Sequence, residues 1–476
     1  MYFPSSSPDS NLRSHDKVFD MNSSAEHPPH VALVAFPFGT HAGPLLALAR
    51  ALAAAAPATT FSFLSTARSL ASLRGGGAVL AGNLRFVPLS DGIPEGSSAA
   101  GIEEQIGMFL SAAPAIVRKG IEAASAEAGG AAVSCVVSDA FLWMAGKAAE
   151  EMGVPWVPLW TGGSGGLLAH LHTDLLRRMI GVGEEANPGR ADEILDFIPG
   201  LSAHRVRDLP EGIIFGPLNS SISLLLHLMA QQIPRAAAAV VLNNFHGLDP
   251  SVDAGLAAAL PNPLPLGPIH LLAPPLAEPD PHLCLPWLDR HGPATVVYVG
   301  FGTVTTPPPA EIAWLAEGLK ASGAPFIWSL KEAARELLPP GFLLRTRERG
   351  LVVNWAPQRG ILGHVAAGAF VTHCGWNSVL EGITAGVPMV CRPFFGDQTL
   401  NARAVSHVWG IGEVFEGGVV TKEGTVRALE VVLRGEEGKR MRERAAELKA
   451  MAVQAVRPGG SSSENFNKLL KIIHRN

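Results

Sequence analysis

Two residues in the first third of the chain have the chemistry of an acid–base pair. His41 sits in the turn Phe38-Gly39-Thr40-His41-Ala42-Gly43-Pro44, directly after the apolar run His30 to Phe36. Asp139 ends a second run, Cys135-Val136-Val137-Ser138-Asp139. An imidazole, with its ordinary pKa of about 6.5, can take a proton from a hydroxyl near neutral pH, and a carboxylate beside it stabilises the charged ring that results. Singly, each residue has a plainer reading: a histidine in a turn is commonly a surface or capping residue, and an aspartate between strand and helix is commonly a cap. A third run, Trp156-Val157-Pro158-Leu159-Trp160, ends at Thr161. In a doubly wound sheet these three strand ends would present His41, Asp139 and Thr161 to one crevice, because such sheets bind ligands beyond the carboxyl ends of their strands.

A second concentration of chemistry runs from Trp355 to Gln398, WAPQRGILGHVAAGAFVTHCGWNSVLEGITAGVPMVCRPFFGDQ. It reads as strand, polar turn, helix and short buried strand. His373-Cys374-Gly375-Trp376-Asn377-Ser378 is the turn, Val379 to Thr384 the helix, Gly386-Val387-Pro388 its end, and Met389-Val390-Cys391 the strand that runs out to Asp397 and Gln398. Glycine and polar side chains at a helix N-terminus make an anion site, since free N–H groups and the helix dipole both face the ligand. A diphosphate could be gripped there without the lysine of a Walker loop. The aromatic face of Trp355 and the carboxylate of Glu381 suit a base and a ribose diol.

The elements that must position these groups are legible from hydrophobic runs. His30 to Phe36, stopped by Pro37, is β-branched and apolar, as a strand buried on both faces should be. Leu45 to Ala55 is an Ala/Leu helix; Phe61 to Leu64, Leu84 to Val87 and the runs ending at Asp139 and Thr161 are further strands. Residues 167 to 240 read as longer helices with a Pro/Gly loop, a plausible wall for a substrate pocket. The Pro-rich stretch Pro261 to Pro281 reads as an extended connector. Alternation then restarts with Thr295 to Val299, the turn Gly300-Phe301-Gly302-Thr303, a helix from Pro309 to Ser322 and a strand from Phe326 to Ser329. The fold expected is α/β, with two Rossmann-like parallel-sheet domains: a disordered extension over 1–27, a first domain over 28–260, a linker over 261–281, a second domain over 282–455 and a closing helical segment over 456–476.

Composition narrows the class. The chain has 476 residues, is 47% hydrophobic and 17% charged, and carries a net charge of −5 with no block of Lys or Arg. That is a globular composition, and it disfavours nucleic acid and acidic membrane surfaces as partners. The four cysteines are scattered without a C-x-x-C pair, which fits reduced thiols in a cytoplasmic protein. Residues 1–24 lack the apolar core of a signal peptide, and the run from Leu45 to Ala56 is too short to span a bilayer.

The stretch from Trp355 to Gln398 resembles, almost position for position, the signature box of the plant family 1 UDP-sugar glycosyltransferases. With FPFGTHAGPLLALARAL, DGIPEG, SDAFLWMA, VPLWT and VYVGFGTVTTPPP, the chain is most similar to flavonoid 3-O-glycosyltransferases acting on flavonols and anthocyanidins, over about residues 28–474. The resemblance implies the GT-B fold, with the last helix crossing back to the first domain. It makes His41 the general base and Asp139 its orienting partner. The acceptor hydroxyl is then itself the nucleophile, attacking the anomeric carbon in line and inverting it. It implies that Trp355 stacks on uracil, with the Ala356 backbone reading its edge, and that Gln358 and Glu381 face the ribose. His373, Asn377 and Ser378 hold the phosphates, joined by Thr303 and Ser329. Trp376, Asp397 and Gln398 line the sugar with Thr161. Gly39, Phe36, Phe38, Trp143, His170, Phe197 and Phe395 are acceptor-pocket candidates, for which core packing is the rival reading.

A UDP-sugar donor, a flavonoid acceptor, no metal, no other cofactor and a monomer are the corresponding expectations. The resemblance implies UDP-glucose as donor, since a glutamine at the place of Gln398 is usual in the family members that use it. One departure from similar enzymes is Gly162-Gly163-Ser164-Gly165-Gly166 after Thr161, where theirs are bulkier. Glycines there would leave space beside the sugar's sixth carbon and shift donor choice toward UDP-rhamnose. The same five residues match the G-x-S-x-G elbow of serine esterases, a remote rival that would make Ser164 a nucleophile. No D-x-D motif supports a divalent metal, and no G-x-G-x-x-G follows the first strand as a dehydrogenase would need.

Overall fold

The computed structural model describes residues 28–75, 80–94, 99, 101–183, 188–274 and 278–474. The extension expected over 1–27 and the loop residues Glu95 and Gly96 lie outside the described residues.

Two parallel sheets form the molecule. The first is built from β1 (His30–Val34), β2 (Thr60–Thr66), β3 (Leu84–Leu89), β4 (Val133–Asp139), β5 (Trp156–Trp160), β6 (Val240–Leu242) and β7 (Pro263–Pro265), in the spatial order β3-β2-β1-β4-β5-β6-β7. The second holds β8 (Val296–Gly300), β9 (Phe326–Ser329), β10 (Gly350–Val353), β11 (Ala367–Thr372), β12 (Met389–Cys391) and β13 (Gly412–Val414), ordered β10-β9-β8-β11-β12-β13. Each order reverses direction at its first strand, between β1 and β4 in one sheet and between β8 and β11 in the other. Those are the switch points where loops diverge and leave a crevice.

The apolar runs are strands because both of their faces are covered. In β1 the side chains of Ala32 and Val34 enter one core cluster and those of Val31 and Leu33 the opposite one, the period of two that a pleated strand imposes. The second sheet is likewise sandwiched, with Tyr298 on one face and Val297 and Val299 on the other.

Part of the Pro-rich stretch is sheet rather than connector. Pro263–Pro265 pairs in parallel with Val240–Leu242 as the edge strand. Proline is tolerated there because an edge strand leaves one row of backbone groups unpaired. The helix Ser461–Ile473 packs on this edge: Ser462 Oγ donates to the Gly267 carbonyl at 2.6 Å and Asn465 Nδ2 to that of Pro265 at 3.0 Å. Its Leu469 and Ile473 are buried in the first sheet's core with Phe61 and Phe63. Among the described residues no helix is long and apolar enough to cross a membrane.

Candidate active site

His41 follows β1 and Asp139 ends β4, so the two stand on neighbouring strand ends at the first switch point. Asp139 is fully buried and its Oδ2 lies 2.9 Å from His41 Nδ1. Its other oxygen accepts the Phe141 N–H at 2.9 Å, which caps the short turn that follows. One oxygen of Asp139 therefore serves as the cap while the other faces His41. His41 opens the helix Ala42–Ala55 without capping it, leaving its ring for other work. Phe36, T-shaped to the ring, and Phe141, tilted against it, pack on the imidazole at centroid distances of 5.2 and 4.4 Å. An ionised carboxylate only accepts hydrogen bonds, so Nδ1 carries the proton and Nε2 presents a lone pair. Such a pair can deprotonate a hydroxyl brought to Nε2.

Thr161, expected on the sugar, has its Oγ1 3.0 Å from the same Nδ1.

A cleft of about 720 Å³ separates the sheets' carboxyl ends, lined by Gly39 and Thr40 on one side and Arg359, Asn377 and Glu381 on the other. Asn377 Nδ2 reaches Thr40 Oγ1 across it at 3.4 Å. Asn377 and Ser378 lie in the first turn of the helix Trp376–Ala385, which has no side-chain cap, so its leading N–H groups are available to an anion. His373 sits just before this turn. A Cβ on Gly302 or Gly375 would come within 2.9 or 2.4 Å of its ring, which explains the glycine at both places. Burial lowers the His373 pKa to about 4, so the ring is neutral, and its Nδ1 has no partner among the described residues.

The proposed ribose residues already hold one another. Gln358 Nε2 donates to Glu381 Oε2 at 2.6 Å and to Ser378 Oγ at 3.1 Å, and Tyr298 donates to Gln358 Oε1 at 3.2 Å. Burial pushes the Glu381 carboxyl up to about 7, with the Gln358 bond pulling the other way. Trp355 keeps an exposed face, 40% accessible, Ala356 beside it is buried, Thr303 is exposed in the turn after β8 and Ser329 ends β9.

Trp376 is different from expectation. Its indole is 6% exposed, donates to the Asn243 carbonyl of the first domain at 2.6 Å and packs toward Trp409. That ring is inter-domain core rather than a sugar wall.

At the far end, Gln398 Oε1 accepts the Phe394 and Phe395 N–H groups, at 2.8 and 3.3 Å. Asp397 Oδ2 accepts the Gly163 N–H at 2.7 Å. Burial raises the Asp397 pKa, while the bonds from Gly163 and Asn401 and the nearby His41 lower it. The glycine loop is not empty space: a Cβ on Gly162, Gly163 or Gly166 would meet Asp397 or Asn401 at 3.1, 2.3 and 2.9 Å. The glycines admit the second domain, which corrects the expectation of room beside the sugar.

The acceptor candidates do not form one wall. Phe36 and His170 are 2% and 5% exposed and belong to the interior: Phe36 supports His41, and His170 lies edge-on to Trp160 with its pKa lowered to about 4 by burial. Trp143 and Phe197 are half-buried against the first core, Phe395 is exposed, and Gly39 (φ +63°) lines the cleft beside Phe38. Sequence reading missed Phe141 and Asn243. Of the two, Phe141 had a signal, its place two residues after Asp139. The esterase reading fails because Ser164 Oγ is buried with no partner, hence no base, among the described residues.

Two facing parallel-sheet domains with a histidine–carboxylate pair on one and an anion-ready helix on the other define a GT-B glycosyltransferase. The match to the family model "UDP-glucoronosyl and UDP-glucosyl transferase" over residues 44–450 makes the chain a member of that family. It is 54% identical to a myricetin 3-O-rhamnosyltransferase from Crocosmia x crocosmiiflora, covering 93% of this chain and 97% of that one. It is also 54% identical to an anthocyanidin 3-O-glucosyltransferase from Zea mays, over 94% and 98%. A crystal structure of UDP-glucose: anthocyanidin 3-O-glucosyltransferase in complex with UDP superposes with a TM-score of 0.87 at 41% identity, covering 94% of this chain and 99% of that one.

Proposed function

We propose that the protein transfers a sugar from a UDP-sugar to the 3-hydroxyl of a flavonol or anthocyanidin, with inversion at the anomeric carbon. The 2.9 Å contact between Asp139 and His41, whose neighbours Thr40 and Ala42 line the cleft, carries this reading. His41 Nε2 takes the acceptor's proton as the hydroxyl oxygen attacks the anomeric carbon, the bond to UDP breaks, and Asp139 stabilises the imidazolium. The diphosphate leaves toward His373, Asn377, Ser378, Thr303 and Ser329, the uracil rests on Trp355 and Ala356, and the ribose meets Gln358 and Glu381. Asp397 and Gln398 select the sugar. The enzyme works in the cytoplasm as a monomer and needs no metal.

UDP-glucose is the first donor and UDP-rhamnose the second, the latter favoured by the relative named for rhamnosyl transfer. A turnover screen crossing UDP-glucose, UDP-rhamnose and UDP-galactose with quercetin, myricetin, kaempferol and cyanidin tests this, reading product mass and bond position. A 3-O-glycoside that disappears in His41→Ala is the expected result. No transfer from any UDP-sugar would overturn it.

A further inference from the structure

The strand β12 hands the chain to the loop that carries Phe395, Asp397 and Gln398, and the residue at that exit is an arginine. The Arg392 N–H extends the β11–β12 ladder by one bond, to the Thr372 carbonyl at 2.8 Å, and Pro393 after it has no N–H to continue. The guanidinium grips Glu311, in the first turn of the helix Pro309–Ser322, with two bonds: Nε to Oε2 at 2.7 Å and Nη2 to Oε1 at 2.6 Å. Nη1 donates to the Pro393 carbonyl. Glu311 Oε2 also accepts the Val420 N–H at 3.0 Å, and the two side chains of the pair are only 12% and 5% accessible. Burial pushes the Glu311 carboxyl up, but the bonds from Arg392 and Val420 outweigh it and hold it below its ordinary range. A fork held in this way cannot turn, and one of its faces is used: Arg392 Cζ lies 4.2 Å from the centre of the Phe394 ring. Phe394 also meets Phe301 edge-on at 5.8 Å, and its N–H is one of the two donors to Gln398 Oε1. Because that oxygen takes two N–H groups, the carboxamide cannot flip without setting its own NH₂ against them. Nε2 is therefore the end left for a ligand, and it makes no hydrogen bond among the described residues.

We infer that Arg392 is a positioning residue for the donor sugar: pinned by Glu311, it seats Phe394, and Phe394 in turn sets the Gln398 carboxamide that meets the sugar's hydroxyls. This rests on the reading of Gln398 as a sugar contact. The arginine does two jobs at once. An apolar residue in its place would leave the buried Glu311 carboxylate unpaired. A lysine would keep the charge but has neither the second arm of the fork nor a flat face for the ring.

The test uses Arg392→Lys, since Arg392→Ala would strand the Glu311 charge and endanger folding. With quercetin as acceptor and UDP-glucose or UDP-rhamnose, whichever the wild type uses, kcat/KM for the donor should fall roughly 3- to 30-fold, the scale of one cation–π contact. The inhibition constant of UDP, which has no sugar, should stay where it is. Phe394→Leu, which fills the space without a ring, should reproduce the loss. In a Gln398→Ala background Arg392→Lys should cost nothing further, because its effect runs through that carboxamide. Three kinetic results would overturn the inference: a lower melting temperature with kcat/KM unchanged, a UDP constant that shifts as far as the donor's, or losses that add in the double variant. A second arm needs no turnover. In the donor-free protein the Phe394 and Phe395 amides should exchange hydrogen faster in Arg392→Lys than in the wild type, and unchanged exchange would also overturn the inference. If neither donor is used, or Gln398→Ala leaves donor kinetics untouched, the functional reading fails while exchange still decides the Arg392 contact.

Discussion

The Gly163 N–H is bonded to the Asp397 carboxylate at 2.7 Å, joining the loop after β5 to the start of the helix Gln398–Arg403. A residue proposed to select the sugar is thus held by the opposite domain before any donor arrives. Gly163 has an ordinary backbone conformation (φ −64°, ψ 140°), so the space it leaves, not its flexibility, is what matters.

Space at neighbouring positions makes a controlled comparison. A Cβ on Gly166 would come 2.9 Å from Asp397 Cβ, whereas one on Gly165 meets nothing within 4 Å. Gly166→Ala should raise donor KM by roughly ten-fold, an overpacking cost of about 1.4 kcal/mol. Gly165→Ala should leave it unchanged. Steady-state kinetics with UDP as product inhibitor checks the locus, since the inhibition constant of UDP, which has no sugar, should stay the same in both variants.

Removing the base should be severe. His41→Ala is expected to lower kcat by about 10²- to 10⁴-fold at unchanged UDP affinity. Asp139→Asn keeps an oxygen that can cap the Phe141 N–H but puts an amide NH₂ against His41 Nδ1, which favours the wrong tautomer. It should lose activity on the same scale while the melting temperature moves little, a pairing that thermal unfolding and kinetics can read together.

What was legible in the sequence follows from physical range. The strands were clear because burial on both faces demands uninterrupted apolar runs, and His41 and Asp139 were placed because each directly follows such a run. The glycine loop was misread because its neighbours, Asp397 and Asn401, lie more than 200 positions away, and nothing local distinguishes a space that is filled from one that is open. The packing of the Trp376 indole was out of reach for the same reason, its partner being the Asn243 carbonyl. Pro263–Pro265 looked like connector because proline content hides an edge strand.

The last helix should be part of the first domain's stability. Leu469 is fully buried among the residues of that core, so Leu469→Ala is expected to cost about 2–5 kcal/mol. Lys468→Ala, on an exposed side chain bonded among the described residues only to Asn465, should cost under about 0.5 kcal/mol. Denaturant unfolding of both variants measures the difference, and equal midpoints would mean that the helix is not coupled to the core.

Glu381 gives a pH dependence whose sign can be worked out. Burial raises its pKa from 4.5 to about 7, so the folded, donor-free protein holds this proton more tightly than the unfolded chain. Stability from this group is complete below about 4.5 and is lost as pH rises through about 7, where the buried carboxyl must ionise. A ribose diol bound at Glu381, as proposed, would reverse the balance, because two hydroxyl donors stabilise the carboxylate and lower its pKa. UDP should therefore bind more tightly as pH rises from 6 to 8 and should displace a proton near pH 7. Calorimetry in two buffers of different ionisation enthalpy reads that proton directly. Glu381→Gln, which cannot ionise, should bind UDP more weakly and abolish the proton release. Release that persists in this variant would place the titrating group elsewhere in the cleft.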